Sequence, residues 1–406
     1  MAVKIFLATV GSRGDNEPFK ALALEAAAAG HEVFFAHTND IPSQPQAPYT
    51  DVELPGSMGE VIAGQGVSVF KALKNYSSVM KPLMEKILEE TTQQILALKP
   101  DVVVYHPKVL TAATAAHAVG GIAIRAEMVP MLNPTDEFAP VGMPAWIPAS
   151  WNKASYRIID ASLSAFDGQA KKLARRLGVI STQPDLTFVP VSPSIISPPK
   201  DWPDDVVMTG SWNTPGHGQL DEELAQFLEF GEVLYAGFGS MRDSRGVARA
   251  DAIVQAARSL GMKTLMVTGW GGLVPGPTDH LAPDILVRES VPHTEVLPHC
   301  KVAIHHGGAG TLHAMLRAGV PSVIMPFLAD QPWWARHLHQ QKLGPEALSR
   351  ATRTPSVIAA SLAAALSYEG VTKLAGLKMA TEDGLARAVS VIEEAEAAPT
   401  LCDLPN

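Results

Sequence analysis

Residues 301–327 read KVAIHHGGAGTLHAMLRAGVPSVIMPF. By hydrophobic period this is a short apolar strand, Val302 to Ile304, then a His-His-Gly-Gly-Ala-Gly loop, then a helix with Leu312, Met315 and Leu316 on one face. Gly319 stops the helix, Pro321 bars its continuation, and Val323 to Met325 form a second strand. The stretch is a βαβ unit with a glycine-rich turn at the carboxyl end of its first strand. A helix start leaves backbone N–H groups unpaired and carries partial positive charge, so this turn suits a phosphate without any cationic side chain. Gly307, Gly308 and Gly310 admit close backbone approach, Thr311 adds a hydroxyl and His306 an imidazole. The plainer alternative is a tight strand-to-helix turn with two incidental histidines.

The amino terminus repeats the layout: a strand Val3 to Val10, the loop GSRGDNEP, a helix Phe19 to Ala29, a stop at Gly30 and a strand Glu32 to Ala36. Pro18 fits the first helical position, where its missing N–H costs nothing. A helix-period stretch Val79 to Leu98, a strand Val102 to Tyr105, a helix Thr111 to Val119 and a strand Ile122 to Ile124 follow. Alternation of this kind predicts a mostly parallel, doubly wound α/β sheet. From Met128 to Trp151 the period is lost in a segment rich in Pro, Met and Trp, read either as a loop over a pocket or as a core-covering loop. Five prolines between Phe188 and Pro203 place the domain linker there. The expected division is 1–200 for the first domain, 201–380 for the second, and 381–406 for a carboxyl-terminal helix and tail that packs back on the first. The second half reads βα throughout, with strands Val233 to Gly237, Lys263 to Thr268 and Ile285 to Arg288, and late helices Pro355 to Leu366 and Leu385 to Glu394.

Length and composition agree with two α/β domains: 406 residues, 47% apolar, are enough for two cores. With 32 basic and 41 acidic residues the formal charge is −9, and no basic block exceeds a pair such as Lys171-Lys172, which argues against a nucleic-acid partner. Cys300 and Cys402, far apart, offer no disulfide framework and no cysteine zinc spacing. The first residues read as a strand and not a signal peptide, and no apolar run approaches the roughly 18 residues of a spanning helix, so the expected location is cytoplasmic.

Four motifs taken together, GSRGD, GFGSM, HHGGAGT and ADQPWW, in this order across nearly the whole chain, resemble those of the nucleotide-sugar-dependent glycosyltransferases of GT-B fold. Within these the chain looks most like the branch of glycopeptide-antibiotic and sterol glucosyltransferases. The resemblance implies two Rossmann-like, doubly wound domains facing across a cleft, acceptor held mainly by the first and donor by the second. It also implies an inverting transfer of a hexose from a UDP- or dTDP-sugar to a hydroxyl, with no cofactor and no metal. Such a step requires a base on one side of the sugar and an anion sink on the other.

Asp15 is the candidate base, in a turn at the end of a strand, and the matching Asp of GSRGD takes the acceptor's proton in the resembling enzymes. Helix capping is the alternative for an Asp at this place, although Pro18 at the first helical position would make Glu17 the cap. Ser12 and Gly14 shape the turn and Arg13 is a structural or phosphate-side cation; all three are donor-side candidates. The resemblance assigns the diphosphate to His306, Gly308, Ala309, Gly310 and Thr311, with Ser240 of the GFGS turn. Adjacent histidines on a strand point to opposite faces, so His305 and His306 do not readily share a zinc. Asp330 and Gln331 match the pair that bonds the donor sugar's hydroxyls, and Asp330 is the second candidate catalytic carboxylate; capping competes for both. Trp333 and Trp334 wall the sugar or fill the core. The nucleotide base is expected against Val291 and Pro292, with His293 where many plant relatives carry Gln. Trp270 offers a stacking face or none. Met128, Met131, Met143 and Trp146 are the candidate acceptor contacts. Two other functions stay open: an epimerase or hydrolase of nucleotide sugars on the same fold, and a non-catalytic partner of another transferase.

Overall fold

The computed structural model describes residues 2–11, 13–41, 43–57, 80–144, 146–164, 168–213, 218–239, 241, 244–269, 271–277 and 279–397. The chain forms two compact units, Met1–Thr214 with Asp383–Asn406, and Pro215–Glu382.

In the first unit seven strands form one parallel sheet: β1 (Lys4–Ala8), β2 (Glu32–Thr38), β3 (Thr50–Leu54), β4 (Val102–Tyr105), β5 (Ile122–Ala126), β6 (Leu186–Val189) and β7 (Val206–Met208). Their order is β3-β2-β1-β4-β5-β6-β7. Crossover helices cover both faces, which is why β4 is a continuous apolar run buried at every position. Alternate residues of β1 feed two cores: Ile5 and Leu7 join Phe19, Leu22 and Phe35 on one face, while Phe6 and Ala8 join Ile87, Val103 and Ala115 on the other. The helix Gly384–Ala397 buries Leu385, Ala388 and Ile392 in the first of these cores, beside the helix Arg13–Ala28. Gly384 is required there: a Cβ would stand 2.5 Å from the carbonyl of Gly210.

Two expectations change. The first helix begins at Arg13, not after Pro18, so Asp15 lies in its first turn. The proline loses only one intrahelical bond, that to Gly14, and the earlier turn is held by Asn16 Nδ2 donating to the Gly11 carbonyl at 3.1 Å. The proline-rich stretch 188–203 is not the linker, because it runs between β6 and β7 of one sheet; the units divide at Thr214.

The second unit is a five-stranded parallel sheet, β8 (Val233–Gly237), β9 (Lys263–Val267), β10 (Ile285–Arg288), β11 (Val302–His305) and β12 (Ser322–Ile324), in the order β10-β9-β8-β11-β12. The opening stretch folds as its period predicts: β11, helix Ala309–Arg317, β12, with β11 and β12 paired in parallel. Among the described residues no single helix is long and apolar enough to cross a membrane.

Candidate active site

In an open parallel sheet, ligands collect outside the carboxyl ends of the strands, where the strand order reverses direction. The first unit reverses between β1 and β4, the second between β8 and β11. Both motif-bearing turns of the sequence, GSRGD and HHGGAGT, lie at these places.

At the first, Asp15 meets two residues that follow β4. Asp15 Oδ1 accepts from Lys108 Nζ at 3.1 Å and lies 3.2 Å from His106 Nε2. His106 Nδ1 in turn accepts the Lys108 backbone N–H at 3.2 Å, so the imidazole proton is on Nε2, donated to the carboxylate. Burial alone would raise the Asp15 carboxyl, but the Lys108 charge and the His106 hydrogen bond outweigh it and hold the group well below the ordinary carboxylate range. Burial, with the nearby Lys108 charge, lowers His106 and keeps it neutral. The Asp15 side chain remains 23% exposed, and Gly11 makes room for it, since a Cβ there would sit 2.1 Å from Asp15 Oδ2. Sequence reasoning found Asp15 and missed His106 and Lys108. The available signal was the polar residues His106 and Lys108 directly after the apolar strand Val102 to Tyr105.

The backbone at the end of β5 organises the Met/Pro/Trp segment. Glu127, buried, accepts from the N–H groups of Met131 and Leu132 at 3.3 and 3.0 Å and from Asn133 Nδ2 at 3.0 Å, and pairs with Arg125 at 2.9 Å. Burial raises its carboxyl against the pull of Arg125. Met128 packs on the core, Met131 and Met143 are half-buried, and Trp146 is 80% exposed.

At the second reversal, Gly308 caps the helix Ala309–Arg317 in extended conformation and brings no side-chain acceptor. The amides of Ala309, Gly310 and Thr311 therefore open that helix with no carbonyl of their own helix to bond. The His306 imidazole lies between two glycines: a Cβ at Gly308 would be 2.5 Å from its Nε2, and one at Gly239 would be 3.2 Å from its Cε1. Burial pushes His306 down to about 4, so at neutral pH it is an uncharged donor or acceptor and not a cation. His305 points elsewhere. It is buried, its Nδ1 accepts the Gly307 N–H at 3.1 Å, and burial lowers it to about 3.

The remaining candidates divide. Asp330, at the cap of the helix Gln331–Gln340, is half-buried and accepts from Trp334 Nε1 at 2.9 Å. Gln331 is buried and acts as a brace: both lone pairs of its amide oxygen are taken by the N–H groups of Phe327 and Leu328, at 2.8 and 3.2 Å, and its nitrogen reaches Met241 Sδ at 3.3 Å. Neither tryptophan is a sugar wall. Trp334 is fully buried edge-on to His313, and Trp333 stacks on His337 at 5.1 Å. His293 Nε2 is held by Tyr235 Oη at 3.0 Å, beside the half-buried Val291 and Pro292. Ser12, Ser240 and Trp270 lie outside the described residues, as does the Arg13 side chain.

Residues 276–397 match the erythromycin biosynthesis protein CIII-like C-terminal domain. A sterol 3-beta-glucosyltransferase of Arabidopsis thaliana is 27% identical over 95% of this chain and 67% of its own length. The vancomycin aglycone glucosyltransferase of Amycolatopsis orientalis is 28% identical over 90% of this chain and 91% of its own. The chain spans from 24% to 67% of the length of the sterol glucosyltransferases it first matches. Among solved structures, the glycosyltransferase VinC in complex with dTDP superposes with a TM-score of 0.69 at 17% identity, over 97% of this chain and 99% of that one. The chain thus has the GT-B fold of the glycosyltransferases, carries an EryCIII-like C-terminal domain, and is a homologue of the sterol and glycopeptide glucosyltransferases.

Proposed function

We propose that this chain is an inverting glycosyltransferase, independent of metal, that moves a hexose from a UDP- or dTDP-sugar to a hydroxyl of a largely apolar small molecule such as an antibiotic-type aglycone or a sterol. The observation that carries the reading is Asp15, a carboxylate kept ionised and aimed by two donors at the strand reversal of the first unit. In the step, the acceptor oxygen attacks the anomeric carbon, the bond from that carbon to the diphosphate oxygen breaks, and the acceptor's proton passes to Asp15. His106 is unsuited to replace it as base, because one ring nitrogen carries a proton and the other accepts from Lys108. The charge arriving on the diphosphate is met by the amides of Ala309, Gly310 and Thr311 and by the neutral imidazole of His306. The complex of VinC with dTDP and the names of the glucosyltransferase relatives support a nucleotide-sugar donor. The half-buried methionines Met131 and Met143 suit an apolar acceptor.

A screen of UDP- and dTDP-hexoses against aglycones and sterols, read by mass spectrometry with EDTA present, tests the activity, and the anomeric configuration of the product tests inversion. Asp15→Asn should lower turnover by roughly 10²-fold or more while UDP and dTDP bind as before. Full turnover in that variant removes Asp15 from the mechanism. Consumption of donor with no acceptor present would point instead to hydrolysis or epimerisation.

A further inference from the structure

Arg249 is fully buried in the helix Gly246–Ser259 of the second unit. A buried guanidinium is expensive to desolvate, and an apolar side chain of similar volume would pack there at lower cost, so its presence calls for a geometric reason. Its contacts supply one. Nη1 donates to the Gly272 carbonyl at 2.8 Å, in the turn after β9. The guanidinium carbon Cζ lies over the ring of Phe327, after β12, 4.6 Å from its centroid, and 5.5 Å from the ring centroid of Phe238, after β8. One side chain thus touches the segments leaving three of the five strands, all at the carboxyl edge of the sheet. The segments after β8 and β9 also press directly on each other. A Cβ at Gly269 would be 2.3 Å from the Gly239 carbonyl oxygen, and one at Gly272 would be 2.7 Å from Phe238 Cβ. Gly239 lies against the His306 imidazole, and the Phe327 segment leads into Asp330.

We propose that Arg249 is a positioning residue for the donor: it fixes the turns after β8, β9 and β12 relative to one another, and through Gly239 and Phe327 it sets where His306 and Asp330 stand for the nucleotide sugar. The inference rests on the donor-binding reading above. Arginine suits the task because its planar, always-charged fork binds a carbonyl in its plane while its faces rest on aromatic rings; lysine retains the charge without the fork.

The test is calorimetric titration of the full-length protein with UDP and with dTDP, alongside thermal unfolding, for wild type, Arg249→Met and Arg249→Lys. We expect folded Arg249→Met to bind nucleotide about tenfold or more weakly, Arg249→Lys to fall between it and wild type, and donor KM to rise with acceptor KM unchanged. A lower unfolding temperature with unaltered nucleotide affinity would mean that Arg249 only packs, and would overturn the inference. Should Arg249→Met fail to fold, Arg249→Lys decides on the same criterion. Wild-type protein that binds neither nucleotide would sink the donor reading itself, and the inference with it, before any variant is compared.

Discussion

Asp15 shares one carboxylate oxygen between an ammonium and an imidazole, and this pairing fixes how the site responds to pH. Burial raises its carboxyl, while Lys108 and His106 lower it further, so the folded value lies below the unfolded one. The unfolded chain then takes the proton first as pH drops. The stabilisation from this group is present above the unfolded carboxylate range and is lost as pH falls through the folded value. At neutral pH the carboxylate is therefore ready to accept a proton, with no acid limb of its own nearby. Lys108→Met removes the largest opposing charge and leaves the burial, so the acid limb of kcat/KM should move to higher pH. A pH profile of both proteins carried down to about pH 3 checks this, and a variant as free of an acid limb there as the wild type would detach Lys108 from Asp15. Asp15 was legible in the sequence because its turn chemistry is local. His106 and Lys108 were not, because only the β1–β4 pairing brings residues so distant along the chain to the same carboxylate.

The helix Ala309–Arg317 and its preceding strand are where sequence and structure agree most closely, since period, glycine and proline all act within a few residues of one another. Two glycines at its start, the cap Gly308 and Gly310 of the first turn, should nonetheless behave differently. Gly308→Ala places a methyl 2.5 Å from His306 Nε2, so the ring must move, and nucleotide affinity should drop about tenfold with little gain in helix stability. Gly310→Ala meets nothing within 4 Å. It should stabilise the fold by about 0.5–1 kcal/mol through helix propensity, yet its methyl would occupy space proposed for the diphosphate, so melting temperature rises while affinity falls. Paired thermal melts and titrations separate the two, and wild-type affinity in both variants would argue against an anion at this helix start. At the end of β11, His305 is held neutral, with a folded value of about 3 against an unfolded value near 6.5. The unfolded chain binds a proton first, so stability is complete above that unfolded value and declines as pH falls toward about 3. His305→Asn keeps an acceptor for Gly307 and cannot titrate, so the melting temperature should decline less steeply between about pH 6.5 and 4. The element that sequence misjudged, the helix start at Arg13, failed because proline was given more authority over a boundary than one lost hydrogen bond warrants.

At the scale of the molecule, two halves were legible because each repeats a strand, a glycine-bearing turn and a helix. The division at Thr214 was not, because β7 has only three residues and a proline-rich connection can stay inside a sheet as readily as leave it. The carboxyl-terminal helix was expected to pack back on the first domain, and Gly384–Ala397 belongs to that unit, but the pattern alone does not name the residues that cover its apolar face. The structure sets that face in the core with Phe19 and Trp212, where Ile392 is fully buried. Ile392→Ala should therefore cost the first unit about 2–5 kcal/mol by leaving a cavity. Nucleotide should act on the other unit: at a concentration a hundredfold above its Kd, UDP or dTDP bound near Gly308 adds about 2.7 kcal/mol to the stability of whatever unfolds with that site. Scanning calorimetry of wild type and Ile392→Ala, each with and without nucleotide, resolves the two effects. The substitution should lower the transition that reports Trp212, and the nucleotide should raise the one that carries the helix Ala309–Arg317. If nucleotide instead protected only the Trp212 transition, the donor would have to bind the first unit, and the assignment of donor to the glycine turn after β11 would be wrong.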